Sequence, residues 1–416
     1  MEQRQLADGG GGGQGGQTNG SGGSPSGGGG EGGCGLLSCE GDCVDTLDSN
    51  DHCGRCDNAC PEGLECLAGV CDRRLRGGRG SSTICARFDE AMVCWGGNER
   101  GQAGNGFPSA NPSLTEATLP GGPLKFAASA PSSTCFLSQV GSVECFGANW
   151  DGELGTNAPG GPDDVSGEID CCFIEEAGVP NLPGQTAVAD VVAGGFANTK
   201  EAFFCFRLAS GDVYCSGDGA PAPIFKIADT VQLEAGTSYA CALNRQGEVW
   251  CWGATWGAGD YNTVAVHVPY KVEGLPAIRA IGSARTAAFA VAQDGELWAW
   301  GSNDWGLLGP GAQLEQDYYP PRRFDHRFEA EIAQIDGGDQ SACALLVNGS
   351  VACWGANGLQ GDGTPTSGLD PSPHTAQVAD VVELASSLEE HVVRLSDGSF
   401  LQWSKQQLQP AEVTLP

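Results

Sequence analysis

Twenty cysteines, five histidines and a surplus of carboxylates are the residues of this chain that could do chemistry. The histidines stand at positions 52, 267, 326, 374 and 391 and show no metal-ligand spacing such as His-Glu-x-x-His. Each reads as a surface residue. The acidic stretch 161–176 holds Asp163, Asp164, Glu168, Asp170, Glu175 and Glu176, but not the Asp-x-Asp-x-Asp-Gly order of an EF-hand. It reads as a solvated loop in preference to a calcium site, as do Asp45, Asp48 and Asp51. No Gly-x-x-x-x-Gly-Lys-Ser/Thr phosphate loop occurs. The sequence therefore predicts no catalytic residue, no metal and no cofactor.

What remains is thiol oxidation. Cys34, Cys39, Cys43, Cys53, Cys56, Cys60, Cys66 and Cys71 crowd a segment too poor in large apolar side chains to build an ordinary core, so cross-links must hold it. Cys53 and Cys56 form a Cys-x-x-Cys pair, but no second pair sits at zinc-finger or ribbon spacing and no βαβ pattern surrounds it. Disulfides are preferred there, their pairing open. Adjacent Cys171 and Cys172 either pair with each other or join loops. A thiol load of this size suits an oxidising compartment, and an extracellular or cell-surface protein is expected. Met1 to Asp8 lacks a basic start followed by an apolar run, so an export signal would have been removed or lie upstream.

The formal charge of −31 disfavours nucleic acid and anionic lipid, whose binding needs Lys or Arg to displace counterions. No run approaches the 18 apolar residues of a membrane helix. Any surface tethering would be indirect.

Three segments position these residues. Residues 1–33 are Gly- and Ser-rich and cannot offset the entropy of ordering, which predicts a disordered tether. Residues 34–74 are the cysteine module. From Leu75 to Pro416 the chain repeats. The fullest copy, Tyr239-Ala-Cys-Ala-Leu-Asn-Arg-Gln-Gly-Glu-Val-Trp-Cys-Trp-Gly253, is strand, Gly turn, strand. Its first cysteine recurs as Cys85, Cys135, Cys205, Cys241 and Cys343, with Phe289 and Val392 in frame, so there are seven units. A further strand precedes most hairpins and a proline-led strand follows, giving four strands per unit, the blade of an all-β, seven-bladed propeller. Cysteines facing each other across a hairpin predict Cys85–Cys94, Cys135–Cys145, Cys205–Cys215, Cys241–Cys251 and Cys343–Cys353. The segment Leu408–Pro416 has no hairpin after it, and the first unit has no such strand before it. Pairing of the two chain ends is thus expected to close the ring.

Trp95-Gly-Gly-Asn-Glu-Arg-Gly-Gln-Ala-Gly104, Phe146-Gly-Ala-Asn-Trp-Asp-Gly-Glu-Leu-Gly155 and Trp300-Gly-Ser-Asn-Asp-Trp-Gly-Leu-Leu-Gly309 resemble the Trp-Gly-x-Asn-x-x-Gly-Gln-Leu-Gly motif of the regulator of chromosome condensation repeat family. Cys53 to Cys71 resembles the stigma-specific cysteine-rich family and similar modules of secreted bacterial proteins. The first resemblance implies a propeller that recognises a macromolecule, or guanine-nucleotide exchange on a small GTPase. The acidic charge and the cysteines argue against exchange. Trp95, Trp252, Trp300, Trp354 and Trp403 are assigned to packing between blades. Trp150, Trp256 and Trp305 follow the motif in loops, where they either pack or contact a partner, and are the partner-binding candidates. The expected partner is a protein or glycan, and the chain is expected to be a monomer.

Overall fold

The computed structural model describes residues 75–413, except 79–80, 89–90, 99, 105–114, 117–122, 150–153, 155–173, 179, 183–186, 196–201, 218–221, 225–226, 254–267, 314–317, 357–358 and 364–367. It also describes the backbone of four short strands before residue 75, with Leu37–Cys39 paired to Asp42–Val44 and Cys66–Leu67 to Val70–Cys71. Among the described residues there is no α-helix.

Seven four-stranded antiparallel sheets follow, each in the chain order of its strands. Their innermost strands are Leu75–Gly77, Leu124–Ser129, Val188–Gly195, Thr230–Ala235, Ile278–Ser283, Ile332–Gly337 and Val381–Ser386, which define blades 1 to 7. Each innermost strand neighbours those of the blades on either side, and that of blade 7 neighbours that of blade 1. The result is a closed seven-bladed propeller. Local chemistry makes the blade: apolar residues fill the second and third strands, and a glycine relaxes the turn between them. At Gly247 the backbone adopts φ +77, a conformation that costs a residue with Cβ about 1–2 kcal/mol.

Each seam between blades has its own apolar cluster. Trp252, Trp300, Trp354 and Trp403 are among the largest fully buried side chains. Around the axis, polar side chains replace the sheet hydrogen bonds that separate blades cannot make. The Gln232 amide donates to Ile281 O at 2.8 Å and accepts from Ile281 N at 3.0 Å, so one side chain joins blades 4 and 5 as a strand neighbour would. Gln334 does the same to Leu384 between blades 6 and 7. Arg76 of blade 1 reaches Asp190 of blade 3 at 2.9 Å and lies 4.3 Å over the Phe126 ring.

The ring closes differently from the sequence expectation. Gln407–Glu412 pairs with Phe400–Ser404 and completes blade 7, while Leu75–Gly77 pairs with its own neighbour Ile84–Ala86. The chain ends do not pair, because neither end blade lacks a strand. Closure is a side-chain seam: Leu75, Ile84 and Trp95 pack on Ala385, Val392, Phe400 and Val413. Leu388 N also donates to Ser81 O at 3.0 Å.

Candidate recognition face

Alternation of antiparallel strands sends every first-to-second and third-to-fourth connection of a blade to one face of the disc. Second-to-third turns and returns to the next blade go to the other. The two faces differ. Turns 139–142, 209–212, 245–248, 293–296, 347–350 and 396–399 of the second face are equal in length. The third-to-fourth connections of the first face run from the two residues 405–406 to the long stretches 148–173 and 254–269.

The tryptophan motif builds this first face. The glycine that follows the tryptophan in blades 1, 4, 5 and 6 has no room for a Cβ: at Gly301, with φ +105, it would lie 2.4 Å from Thr286 O. The motif asparagine then caps the loop, with Asn303 Oδ1 accepting from Leu308 N at 2.9 Å, Asn98 Oδ1 from Ala103 N at 2.9 Å and Asn149 Oδ1 from Leu154 N at 3.0 Å. The folded loop latches the next blade. Trp354 Nε1 donates to Leu307 O of blade 5 at 2.8 Å, and Trp403 Nε1 to Leu359 O of blade 6 at 2.8 Å.

Inside these loops the short first-to-second connections form a belt. Thr237 N donates to Arg285 O, Arg285 N to Gly338 O, Asp339 N to Leu388 O and Leu388 N to Ser81 O, linking blades 4, 5, 6, 7 and 1 in turn. Arg285 pairs with Asp339 at 3.0 Å, and Lys405 with Glu389 at 3.3 Å. Burial pushes the Asp339 carboxyl above its ordinary range against the opposing pull of Arg285. Burial, then the neighbouring Glu389 charge, raises Glu390. None of these belt residues was singled out from the sequence. Their short loops carry no motif, and their shared position emerges only when the blades are superposed in order.

Of the tryptophan candidates, Trp150 and Trp256 lie outside the described residues. Trp305 is half-buried against the cluster between blades 5 and 6, so only part of its ring faces outward. The hairpin cysteines are joined as Cys85–Cys94, Cys135–Cys145, Cys205–Cys215, Cys241–Cys251 and Cys343–Cys353, with Cα atoms 4.0 to 4.1 Å apart. Within 34–71, Cys66 stands opposite Cys71 in a two-stranded pairing. Cys34, Cys53, Cys56, Cys60, Cys171, Cys172, His52, His267 and the acidic stretch 161–173 lie outside the described residues. Against the surface assignment, His391 is buried, bracketed by Ser341 Oγ at 2.7 Å and Ser386 Oγ at 2.8 Å. Blade 7 places it opposite Trp403, where blades 4 and 6 have Ala240 and Ala342 and blade 1 has Ile84, and those two hydroxyls satisfy the ring. His374 sits between Asp362 at 3.2 Å and Asp370 at 2.8 Å. His326 is exposed, its ring edge-on to Phe328. Among the described residues no three His, Cys, Asp or Glu side chains are grouped to hold a metal.

Seven blades, with a tryptophan latch between blades 5 and 6 and between blades 6 and 7, define a repeat propeller whose longest loops share one face. The propeller carries repeats of the regulator of chromosome condensation (RCC1) type: models of that repeat match residues 231–254 and 294–345, and a stigma-specific STIG1-like model matches 32–74. It is 26% identical over 348 residues to the mouse secretion-regulating guanine nucleotide exchange factor, covering 74% of this chain and 72% of that protein. It is 29% identical over 146 residues to the human E3 ubiquitin-protein ligase HERC2, covering 32% of this chain but only 3% of HERC2. Among solved structures, human WBSCR16 superposes with a TM-score of 0.66 at 18% identity, over 78% of this chain and 95% of that one. Yeast RCC1 (Prp20), solved with Kap60 bound, gives a TM-score of 0.66 at 16% identity, over 82% and 88%. These structures share the fold.

Proposed function

We propose that the protein is a non-enzymatic binding module of the cell exterior that recognises a protein or glycan through the variable-loop face of its propeller. The observation that carries this reading is the asymmetry of the disc: the hairpin turns on one face have four residues in six of the seven blades, whereas the third-to-fourth connections on the other run from two residues to the long stretches 148–173 and 254–269 on a rigid scaffold, the arrangement in which loop sequence sets specificity. Five hairpin disulfides in the blades support an oxidising compartment. A protein partner is favoured by the likeness to yeast Prp20, which has been solved bound to Kap60 and studied for its binding to Gsp1p and histones. We read the chain as a monomer, with residues 1–33 as tether and 34–74 as a disulfide-held module.

The test is capture of partners by the immobilised chain from the surrounding medium, repeated with loop 254–267 replaced by a short Gly-Ser turn. Loss of the captured species supports the reading, while equal capture, or turnover of a substrate by the purified chain, overturns it. A second reading, nucleotide exchange on a small GTPase, is favoured by likeness to the mouse exchange factor over most of both chains. Accelerated release of GDP from a GTPase on addition of the chain would select it.

A further inference from the structure

The innermost strands meet at the axis, and one level of it breaks an apolar pattern. Opposite the first hairpin cysteine or its equivalent, blades 2, 3, 5 and 7 carry Ala128, Val192, Gly282 and Ala385. Blades 1, 4 and 6 carry Arg76, Glu234 and Asp336 there. These three charged residues, with Val192, Ala193 and Ala235, line a half-open pocket of about 30 Å³, room for one or two waters. Each innermost strand runs from the second face to the first, and Ala193, Ala235 and Asp336 lie in the later half of theirs. The pocket is therefore on the first-face side of the axis, beneath the belt that joins Thr237, Arg285, Asp339, Leu388 and Ser81.

The sign of the pocket follows from where its charges point. Arg76 sends its guanidinium to blade 3, donating to Asp190 Oδ1 at 2.9 Å and Val191 O at 3.3 Å, so its charge is matched there. Glu234 and Asp336 are 5% and 4% exposed. Glu234 accepts from Gln232 Nε2 at 3.1 Å and Ser283 Oγ at 3.4 Å, and Asp336 from Gly337 N at 3.1 Å and Ser386 N at 2.9 Å. These bonds orient the carboxylates and leave their charge in place, since a neutral donor does not cancel it. Size then chooses among cations. Space for one or two waters admits a compact ammonium on a slender stem, but not a planar guanidinium or a whole amino acid.

We propose that the axial pocket is a lysine socket: the partner protein inserts one lysine, whose ammonium is neutralised by Glu234 and Asp336 while its methylenes lie along Val192, Ala193 and Ala235. This rests on the recognition-face reading and names the anchor that the partner supplies at the centre of that face. The formal charge of −31 draws the same kind of partner.

The probe is the peptide Gly-Gly-Lys-Gly-Gly, acetylated and amidated at its ends, titrated into the full chain with its alanine methyl groups labelled for NMR. It is expected to shift the Ala193 and Ala235 methyl resonances to saturation. Combining Glu234→Gln with Asp336→Asn keeps the shape and removes the charge, and should weaken binding at least tenfold in a variant whose melting curve shows it folded. The unaltered chain supplies a second readout that needs no variant. Peptides with arginine or acetyl-lysine in place of lysine, and methylammonium alone, should each bind at least tenfold more weakly. Unmoved resonances, equal affinity for the arginine or acetyl-lysine peptide, or undiminished affinity in the folded neutral variant overturns the proposal. Methylammonium binding as tightly as the peptide would assign the pocket to a free amine and overturn the partner's lysine. If partner capture survives in the neutral variant but disappears on replacing 254–267, the recognition face stands and the socket falls.

Discussion

Gly301 and Gly295 separate two reasons for a glycine. Both have positive φ, +105 and +85, but a Cβ at Gly301 would meet Thr286 O at 2.4 Å while one at Gly295 meets nothing within 4 Å. Gly295→Ala is expected to cost about 1–2 kcal/mol from backbone conformation alone. Gly301→Ala must in addition move a strand end, and about 3 kcal/mol or more is expected. Urea unfolding of the two variants checks the difference; equal losses would mean that the close approach matters little. Glu390 offers a test through pH. Its folded carboxyl is raised by burial first and by Glu389 second, so the neutral form is the favoured one in the fold. Below the ordinary Glu value of about 4.3, the group is neutral in both folded and unfolded chains. As pH rises through the higher folded value, wild type alone must hold a buried charge and loses stability. Glu390→Gln should therefore melt above wild type at pH 7, with the gap closing toward pH 4. A gap that is constant with pH would assign the effect to packing.

At the scale of the element, the hairpin carries most of what the sequence makes legible. Cysteine, glycine turn, cysteine and Trp-Gly occur within fifteen residues, so register, turn and disulfide are all local, as in Cys241 opposite Cys251. The motif asparagine is legible in the same way, since Asn303 and its partner Leu308 are five residues apart. What joins the blades is not: Gln232 reaches Ile281 across 49 residues and Arg76 reaches Asp190 across 114, and nothing near either residue announces its partner. The expected pairing of the chain ends failed for the same reason, because a complete strand count in both end blades is a property of the whole ring. Each hairpin disulfide closes a loop of about ten residues, worth on the order of 2–3 kcal/mol in the chain-entropy model. Blade 5 shows what a blade uses without one: Phe289 opposite Ala299, both 0% exposed. Cys241→Ala with Cys251→Ala should lower stability by about 3 kcal/mol, losing cross-link and packing together. Cys241→Phe with Cys251→Ala, copying blade 5, should recover part of it. If the copied pair is no better than the double alanine, packing at this position is not interchangeable between blades.

For the whole molecule, the ring makes stability and recognition separable. Seams are radial and buried, and the connections of widest length range leave one face; a motif loop also enters its seam, as Leu307 and Leu308 do between blades 5 and 6, so a loop exchange reports on recognition when folding is measured beside it. Replacing 254–267 by a short turn should lower the melting temperature by no more than a few degrees, because Gly253 and Tyr270 stay paired within blade 4. The electrostatics argue the partner's character. At −31, the chain attracts cationic surfaces through a long-range field that salt screens with a Debye length of about 8 Å at physiological ionic strength. Association should therefore be fast at low salt, and raising salt should slow the on-rate much more than it speeds dissociation, since steering acts before contact while apolar burial holds the complex. Surface plasmon resonance of the captured partner across a salt series reads both rates. An on-rate flat from low to high salt would remove the molecular charge from recognition and leave the loop contacts to account for specificity alone.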